Sequence, residues 1–311
     1  MKLVDGDVPG PKRDYVGYGR HTPRVVWPNG AKVAVNIVVN YEEGSEYSWP
    51  AGDGHSDGAA ELAGWAPEPQ YRDLHVESVY EYGSRAGVWR LIRLFERYGI
   101  KVTFFAAAVA LERNRDVAAA IGEAGHEPCS HGWRWIESWK LSREEEREQI
   151  QAAIESIRET CGQRPLGWYC RYGPSVNTRE LVVEEGGFLY DSDAYNDDLP
   201  YFTEVNGKRH LVIPYTLATN DVRYSLAQGF SGPSDFFDMC ARSLDELLRE
   251  GRAGHPKMMS IGLHPRLVGQ PGRVSALREF IEQALAHGDV LFTTRKHIGE
   301  WWVAHHEEFA S

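Results

Sequence analysis

The chain has 311 residues, of which 42% are hydrophobic and 25% charged, a balance that suits one folded globular domain with a sizeable core. Lysine plus arginine number 34 against 45 aspartate plus glutamate, so the formal net charge is −11, which argues against binding nucleic acid or anionic lipid. The first residues lack the apolar stretch of a signal peptide, no run is long enough to span a membrane, and the four cysteines form no C-x-x-C pair, so a cytoplasmic protein is expected.

Strands and helices are predicted to alternate along most of the chain. Residues 1–30, rich in glycine, proline and arginine, predict an irregular arm that either wraps a neighbouring subunit or lies on the surface as an ordered tail. Residues 31–311 predict one domain. Hydrophobic patterning within it predicts strands at 33–40, 101–106, 128–130, 167–170, 188–190, 210–214, 257–263 and 290–293. Helices are predicted from residue 88, at 117–123, from a capping box at 142–145 to about 160, and at 178–185, 236–249 and 274–287.

This alternation predicts an α/β fold with a largely parallel sheet and helices outside it. Roughly seven strands favour a closed or nearly closed barrel, a distorted (β/α)7-type barrel, over an open sheet. In such barrels the chemistry lies at the carboxyl ends of the strands. Polar residues that directly follow a predicted strand are therefore the candidates for function.

The pair Glu42-Glu43 is the most informative of these candidates. It follows the first strand and precedes Gly44 and a long loop without periodicity, 44–75, of the kind that is often functional. Two adjacent carboxylates at a barrel mouth can be a general base and a metal ligand, or two groups that share a proton. Four further strand ends also carry polar groups, at 130–135, 170–174, 190–201 and 262–265.

The order of these motifs resembles the polysaccharide deacetylase superfamily, from about residue 33 to residue 300. The resemblance implies a catalytic domain in which Glu42 is the base and Glu43 the metal-binding acid. It further implies that His131 is the first metal histidine, that Arg171 positions the base and that His264 is the general acid. Trp135 stands where that family has its second metal histidine, four residues after the first.

The substitution at Trp135 weakens the predicted metal site. Glu43 and His131 would be the only ligands, whereas catalytic zinc sites have three protein ligands, and an indole has no lone pair to offer. We therefore expect no cofactor. Zinc or another divalent metal is the alternative, with His55 or His75 from the long loop as the replacement ligand.

Longer segments are similar to the cofactor-independent allantoinases of ureide and urate catabolism. This resemblance implies a homotetramer that opens the ring of a small cyclic ureide or imide, converting allantoin to allantoate. The segments that carry the similarity are 40–44, 81–90, 130–136, 184–193, 197–201, 212–217 and 260–264.

A metal-free reaction would depend on general acid–base catalysis and preorganised charge. We expect Glu42, held by Arg171, to activate water, Glu43 to hydrogen-bond His131, and His264 to protonate the leaving nitrogen. One carboxyl of the pair should have a raised pKa. Around them we expect Trp135 to form a flat wall of the pocket. Tyr172, Asp198 and Asn220 are expected to bind the urea-like edges of the substrate. Arg85 is expected either to donate a hydrogen bond to the ligand or to belong to a structural ion pair.

Three other functions stay open at this stage. A metal-dependent N-deacetylase of polysaccharide or peptidoglycan would need the replacement metal ligand. A cyclic imide hydrolase would suit the same site. A pseudoenzyme that binds a ureide would not need a base and an acid together.

Overall fold

The computed structural model describes residues 8–58 and 67–309. The strands, numbered β1 to β9 in chain order, are Val33–Tyr41, Thr103–Ala106, Glu127–Ser130, Gly167–Trp168, Tyr190–Asp191, Tyr201–Val205, Lys208–Val212, Lys257–Leu263 and Val290–Phe292. The helices, α1 to α9, are Leu74–Tyr82, Val88–Tyr98, Ala108–Arg113, Arg115–Glu123, Arg143–Cys161, Thr178–Glu185, Pro233–Arg252, Pro271–Ala286 and Arg295–His305. A π-helical turn, Gly83–Gly87, joins α1 to α2.

The strands form one curled sheet with the order β6-β7-β5-β4-β3-β2-β1-β8, and β9 pairs with β1 beside β2. All pairings are parallel except that of the β6–β7 hairpin. This is the half-barrel of the predicted α/β fold. Within the described residues β6 and β8 do not pair, so the closed form of the barrel is wrong, and an isolated bridge from Asn220 to Gly262 lies at the β8 edge.

Alternation along β1 separates two layers of core. Val35, Ile37 and Val39 pack in the cluster between the sheet and the helices, whereas Ala34 and Val38 belong to the cluster inside the curl. All nine residues of β1 are buried, as expected for a parallel strand covered on both faces. The sheet therefore holds the carboxyl end of β1 rigidly at the mouth of the half-barrel.

Most predicted elements are confirmed, with small shifts at their ends, and the capping box at Ser142 is present. Four elements were missed, the hairpin strand β6, the helices α1 and α3, and the final helix α9. Strand β6 is only partly buried, so its hydrophobic signal is weak. Helix α1 begins inside the predicted loop 44–75, where Asp73 accepts hydrogen bonds from two backbone N–H groups at its start.

The described part of the N-terminal arm packs partly on its own domain. The Trp27 indole donates to the carbonyl of Lys257 at 3.0 Å, and the Tyr18 hydroxyl donates to the carbonyl of Pro200 at 2.5 Å. Tyr15 and Val16 are exposed. The surface tail and the wrapping of a neighbouring subunit both stay predictions. Across residues 8–58 and 67–309, no helix has the length and apolarity needed to cross a membrane.

A fully buried arginine, Arg295 at the start of α9, fills the interior of the curl below the site. Burial lowers its pKa, and no carboxylate in residues 8–58 or 67–309 pairs with it, yet all five guanidinium N–H groups have acceptors. These acceptors come from β1, from β8 and from the segments that follow β5 and β7. They are the Asn36 side chain at 2.7 Å, Ser260 and Ser192 Oγ at 3.0 Å each, the carbonyl of Pro214 at 2.8 Å, and the carbonyl of Ile213.

Replacing Arg295 with methionine should lower the free energy of unfolding by about 3 kcal/mol or more, because several buried acceptors lose their donors. Arg295→Lys keeps a charge but has only three donors, so its loss should lie between wild type and methionine. Denaturant unfolding measures both. An Arg295→Met protein as stable as wild type would show that the network does not hold the sheet together.

Candidate active site

Residues that follow three strands meet at the mouth of the half-barrel. Glu42 follows β1, His131 follows β3 and His264 follows β8, and each is at most 6% exposed. Glu42 Oε1 lies 3.4 Å from His131 Nε2 and 3.5 Å from His264 Nε2. The structure therefore brings together the residues predicted as base, histidine and acid.

The cation beside Glu42 is Arg266, which sequence reasoning missed. Its Nη1 lies 2.7 Å from Glu42 Oε2 and 3.6 Å from Glu43 Oε1. The guanidinium also lies near the rings of Tyr80, at 4.6 Å, and Trp135, at 5.5 Å. The only sequence signal for it is its place two residues after His264, at the same strand end.

The two adjacent carboxyls have opposite pKa shifts. Burial raises the pKa of Glu42, but the charges of Arg266 and His264 outweigh burial and hold it well below its ordinary value. For Glu43 burial wins, and with the charge of Glu42 it raises the pKa to about 7 despite Arg266. The predicted splitting of the pair is present. Burial acts in the same direction on both carboxyls, so the difference comes from the charges, which outweigh burial only at Glu42.

The expected contact between Glu43 and His131 is not made, because Glu43 turns back along the chain. Its Oε2 accepts a hydrogen bond from the backbone N–H of Glu42 at 3.0 Å. Its Oε1 is buried without a hydrogen-bond partner among the described residues. Glu42, and not Glu43, is the carboxylate nearest to His131 Nε2.

His264 is held by Asp221, a second residue that the sequence did not reveal. His264 Nδ1 lies 2.6 Å from Asp221 Oδ1, and the backbone N–H of His264 donates to Asp221 Oδ2 at 2.7 Å. Burial lowers the pKa of His264, but the charges of Glu42 and Asp221 raise it by more than burial lowers it. The resulting pKa is about 9. The imidazole is therefore protonated at neutral pH, with Nε2 directed toward Glu42.

Trp135 fixes the hydrogen-bonding state of His131. His131 Nδ1 lies 2.9 Å from the carbonyl of Tyr169, which can only accept, so Nδ1 carries the hydrogen. The indole N–H of Trp135 donates to His131 Nε2 at 3.1 Å. The lone pair that a metal would need on His131 is thus occupied by the side chain that stands in the second histidine position.

Arg171 does not hold Glu42, which corrects the expected role. It makes a two-pronged ion pair with Asp57, at 2.6 and 2.8 Å, and donates to the carbonyl of Trp135 at 2.8 Å. Its guanidinium stacks 3.8 Å from the Trp135 ring. Arg171 therefore connects the loop after β1 to the site. Its partner is Asp57 on that loop, and not Glu42 or Glu43.

The four residues expected to contact the edges of the ligand do not gather around Glu42. Tyr172 is exposed at the rim, with its ring 5.7 Å from Trp135. Asn220 is turned to its own backbone, accepting from the N–H of Val222 at 2.9 Å. Asp198 lines a separate cavity of about 540 Å³. The side chain of Arg85 is 79% exposed and pairs with Glu81 at 3.6 Å. Neither side chain reaches Glu42.

The donor set does not suit a metal ion. His55 and His75, the proposed replacement ligands, are both exposed. Within residues 8–58 and 67–309 no group of three or more histidine, cysteine, aspartate or glutamate side chains could hold one. The Arg266 guanidinium beside Glu42 would repel a divalent cation, and Trp135 covers the His131 lone pair.

Comparison with known proteins finds relatives that are described as polysaccharide deacetylases or as an allantoinase. A family model described as polysaccharide deacetylase matches residues 70–190. A polysaccharide deacetylase-type protein of Schizosaccharomyces pombe is 38% identical, over 94% of this chain and 98% of its own. The crystal structure of PuuE allantoinase has a TM-score of 0.91 at 48% identity, over 97% of this chain and 99% of its own. A probable polysaccharide deacetylase from Pseudomonas aeruginosa PAO1 has a TM-score of 0.90 at 48% identity, over 95% and 98%.

Trp135→His should raise the affinity for zinc, because it removes the indole donor from His131 Nε2 and adds a ligand. Metal content after dialysis against zinc measures the change. Trp135→Phe is the control, since it removes the donor without adding a ligand. If bound zinc does not rise in Trp135→His, Trp135 does not occupy the metal-ligand position.

Proposed function

Since the chain belongs to the polysaccharide deacetylase family, in the branch of the PuuE allantoinase, and is a hydrolase, we propose that it hydrolyses a ring amide of allantoin to give allantoate without a metal ion. The observation that carries this proposal is the contact of Glu42 with both His264 and Arg266, beside a His131 whose lone pair is occupied. A base and an acid are present where a metal is poorly accommodated. Similarity to PuuE allantoinase over nearly the whole chain supports the substrate.

Glu42 is the proposed base. Its carboxylate is ionised at neutral pH and can accept a proton from water, while the hydroxide oxygen attacks the ring carbonyl carbon. The low pKa limits its basicity, so its contribution depends on holding the water in line with the carbonyl. Arg266, paired with Glu42, supplies the positive charge next to the developing oxyanion.

His264 completes the reaction from the other side. As the tetrahedral intermediate collapses, the ring C–N bond breaks and the Nε2 proton of His264 passes to the leaving nitrogen. Asp221 keeps the imidazolium oriented and protonated for this step. The second carbonyl attached to that nitrogen in a hydantoin ring makes it less basic than an ordinary amide nitrogen, which suits catalysis without a metal.

The cover over the site favours a small substrate over a polymer. The segment 45–57 crosses to the ends of β3 and β4, where Arg134 binds Asp53 at 2.8 Å through both prongs and Arg171 binds Asp57. Ordered two-pronged pairs at both points keep this segment in place. A polymer would have to bind beside this anchored segment, whereas a small ring needs less space.

A polysaccharide or peptidoglycan N-deacetylase is the second candidate. The family model and the Schizosaccharomyces pombe relative favour it by their descriptions. Its metal would have to be held despite Trp135 and Arg266. A cyclic imide is a further substrate that the same base and acid could hydrolyse.

One purified preparation, assayed with allantoin, a cyclic imide and an N-acetylglucosamine oligomer, with and without chelator, tests the proposal. We expect chelator-resistant hydrolysis of allantoin, and a loss of on the order of a hundredfold or more in Glu42→Gln. The metal content of the same sample is measured. Chelator-sensitive deacetylation of the oligomer would replace this proposal with the second candidate.

The activity should fall as the pH rises through about 9, because His264 then loses the proton that it delivers. Asp221→Asn removes one of the charges that raise this pKa, so the fall in kcat/KM should move to lower pH by about one unit or more. Asp289→Asn, at a surface pair with Arg252, is the matched control. An unchanged alkaline limb in Asp221→Asn would exclude His264 as the acid.

A further inference from the structure

The π-helical turn Gly83–Gly87 contacts the carboxylate side of the site. A Cβ on Gly83 would lie 2.3 Å from Glu43 Oε1 and 2.7 Å from Glu43 Cγ and Cδ, so a side chain there would displace the Glu43 carboxylate. Gly83 is buried and has an ordinary helical conformation, φ −57° and ψ −47°, so its lack of a side chain is required by space and not by backbone strain. The turn therefore closes directly over Oε1 of Glu43.

The other end of the same turn contacts the loop that carries the acid and the arginine. A Cβ on Gly87 would lie 2.0 Å from the carbonyl oxygen of Pro265, between His264 and Arg266. One on Gly269 would meet the same carbonyl at 2.1 Å and Gly87 Cα at 2.6 Å. Since these contacts are to backbone atoms, a larger residue would have to move the loop itself.

Hydrogen bonds fix the turn against both sides. Ser84 Oγ lies 2.9 Å from the hydroxyl of Tyr41, the last residue of β1, and 2.9 Å from the side-chain amide of Asn114. After the turn, Arg90 donates to the carbonyl of Gly269, and the Tyr82 hydroxyl before it donates there at 3.3 Å. A π-turn is rare and is found mostly at functional sites. Here it is connected to the end of β1 and to the loop 264–269.

We propose that the turn Gly83–Gly87 is a positioning element that sets the distance between the carboxylates after β1 and the His264–Arg266 segment, with Gly83 and Gly87 as positioning residues. The proposal extends the hydrolytic function proposed above. The turn contacts Glu43, next to Glu42, and the carbonyl of Pro265, between His264 and Arg266, and its two glycines allow these close approaches. It acts through Glu43, His264 and Arg266 and does not itself touch the substrate.

Gly83→Ala and Gly87→Ala test this. Alanine favours a helix over glycine by about 1 kcal/mol, so a merely helical role predicts unchanged or higher stability and full activity. A positioning role predicts that kcat falls about tenfold to a hundredfold in Gly83→Ala, with little change in KM, because a displacement of about 1 Å misaligns the reacting groups. Gly87→Ala should lose as much activity and also some thermal stability. Gly272→Ala, in the first turn of α8 with nothing within 4 Å of its Cβ, is the control.

A readout without substrate separates this proposal from the proposed function. The buried His264–Asp221 hydrogen bond should give a downfield imidazole proton resonance, identified by its loss in Asp221→Asn. Gly87→Ala should shift that resonance and Gly272→Ala should not. A wild type inactive on every cyclic amide, with the shift in Gly87→Ala, would refute only the function. An unmoved resonance, or full kcat in Gly83→Ala, would overturn the positioning role.

Discussion

The half-barrel depends on one buried guanidinium. Arg295 donates to β1, to β8 and to the segments after β5 and β7, so the strands on opposite sides of the curl share one donor. A sheet of this curvature leaves polar backbone and side-chain groups inside, and each would be costly without a partner. Strands β1 and β8 end at Glu42 and His264, so the Arg295 network links the two strands that carry these residues.

Charge balance is the next constraint. Glu42 is buried between Arg266 and His264, and His264 in turn is paired with Asp221, so two carboxylates and two cations form one compact group. Burying any one of these charges alone would be strongly unfavourable. The arrangement is balanced in charge, and it keeps a protonated imidazole beside an ionised carboxylate.

Several features were predictable because they are local. The apolar run of β1, the Glu42-Glu43 pair after it and the spacing of His131 and Trp135 are continuous in the sequence, and parallel strands bring their carboxyl ends to one edge. The expectation that Arg171 holds Glu42 failed because it depends on a contact that is not local in the sequence. A motif gives a residue its place on a strand end, but it does not give the length and path of the neighbouring loop, and here Asp57 on such a loop pairs with Arg171.

The sequence by itself determined the alternating α/β pattern, the strand ends that carry Glu42, His264 and Trp135, and the absence of a conventional zinc ligand at residue 135. Periodicity and residue chemistry are enough for these, since each depends on neighbours along the chain. Only the tertiary structure decided that Arg266 lies against Glu42, that Asp221 holds His264 and that Gly83 lies against Glu43. Asp221 and Gly83 come from elements distant in the chain from their partners, and such contacts depend on side-chain reach across the mouth of the barrel.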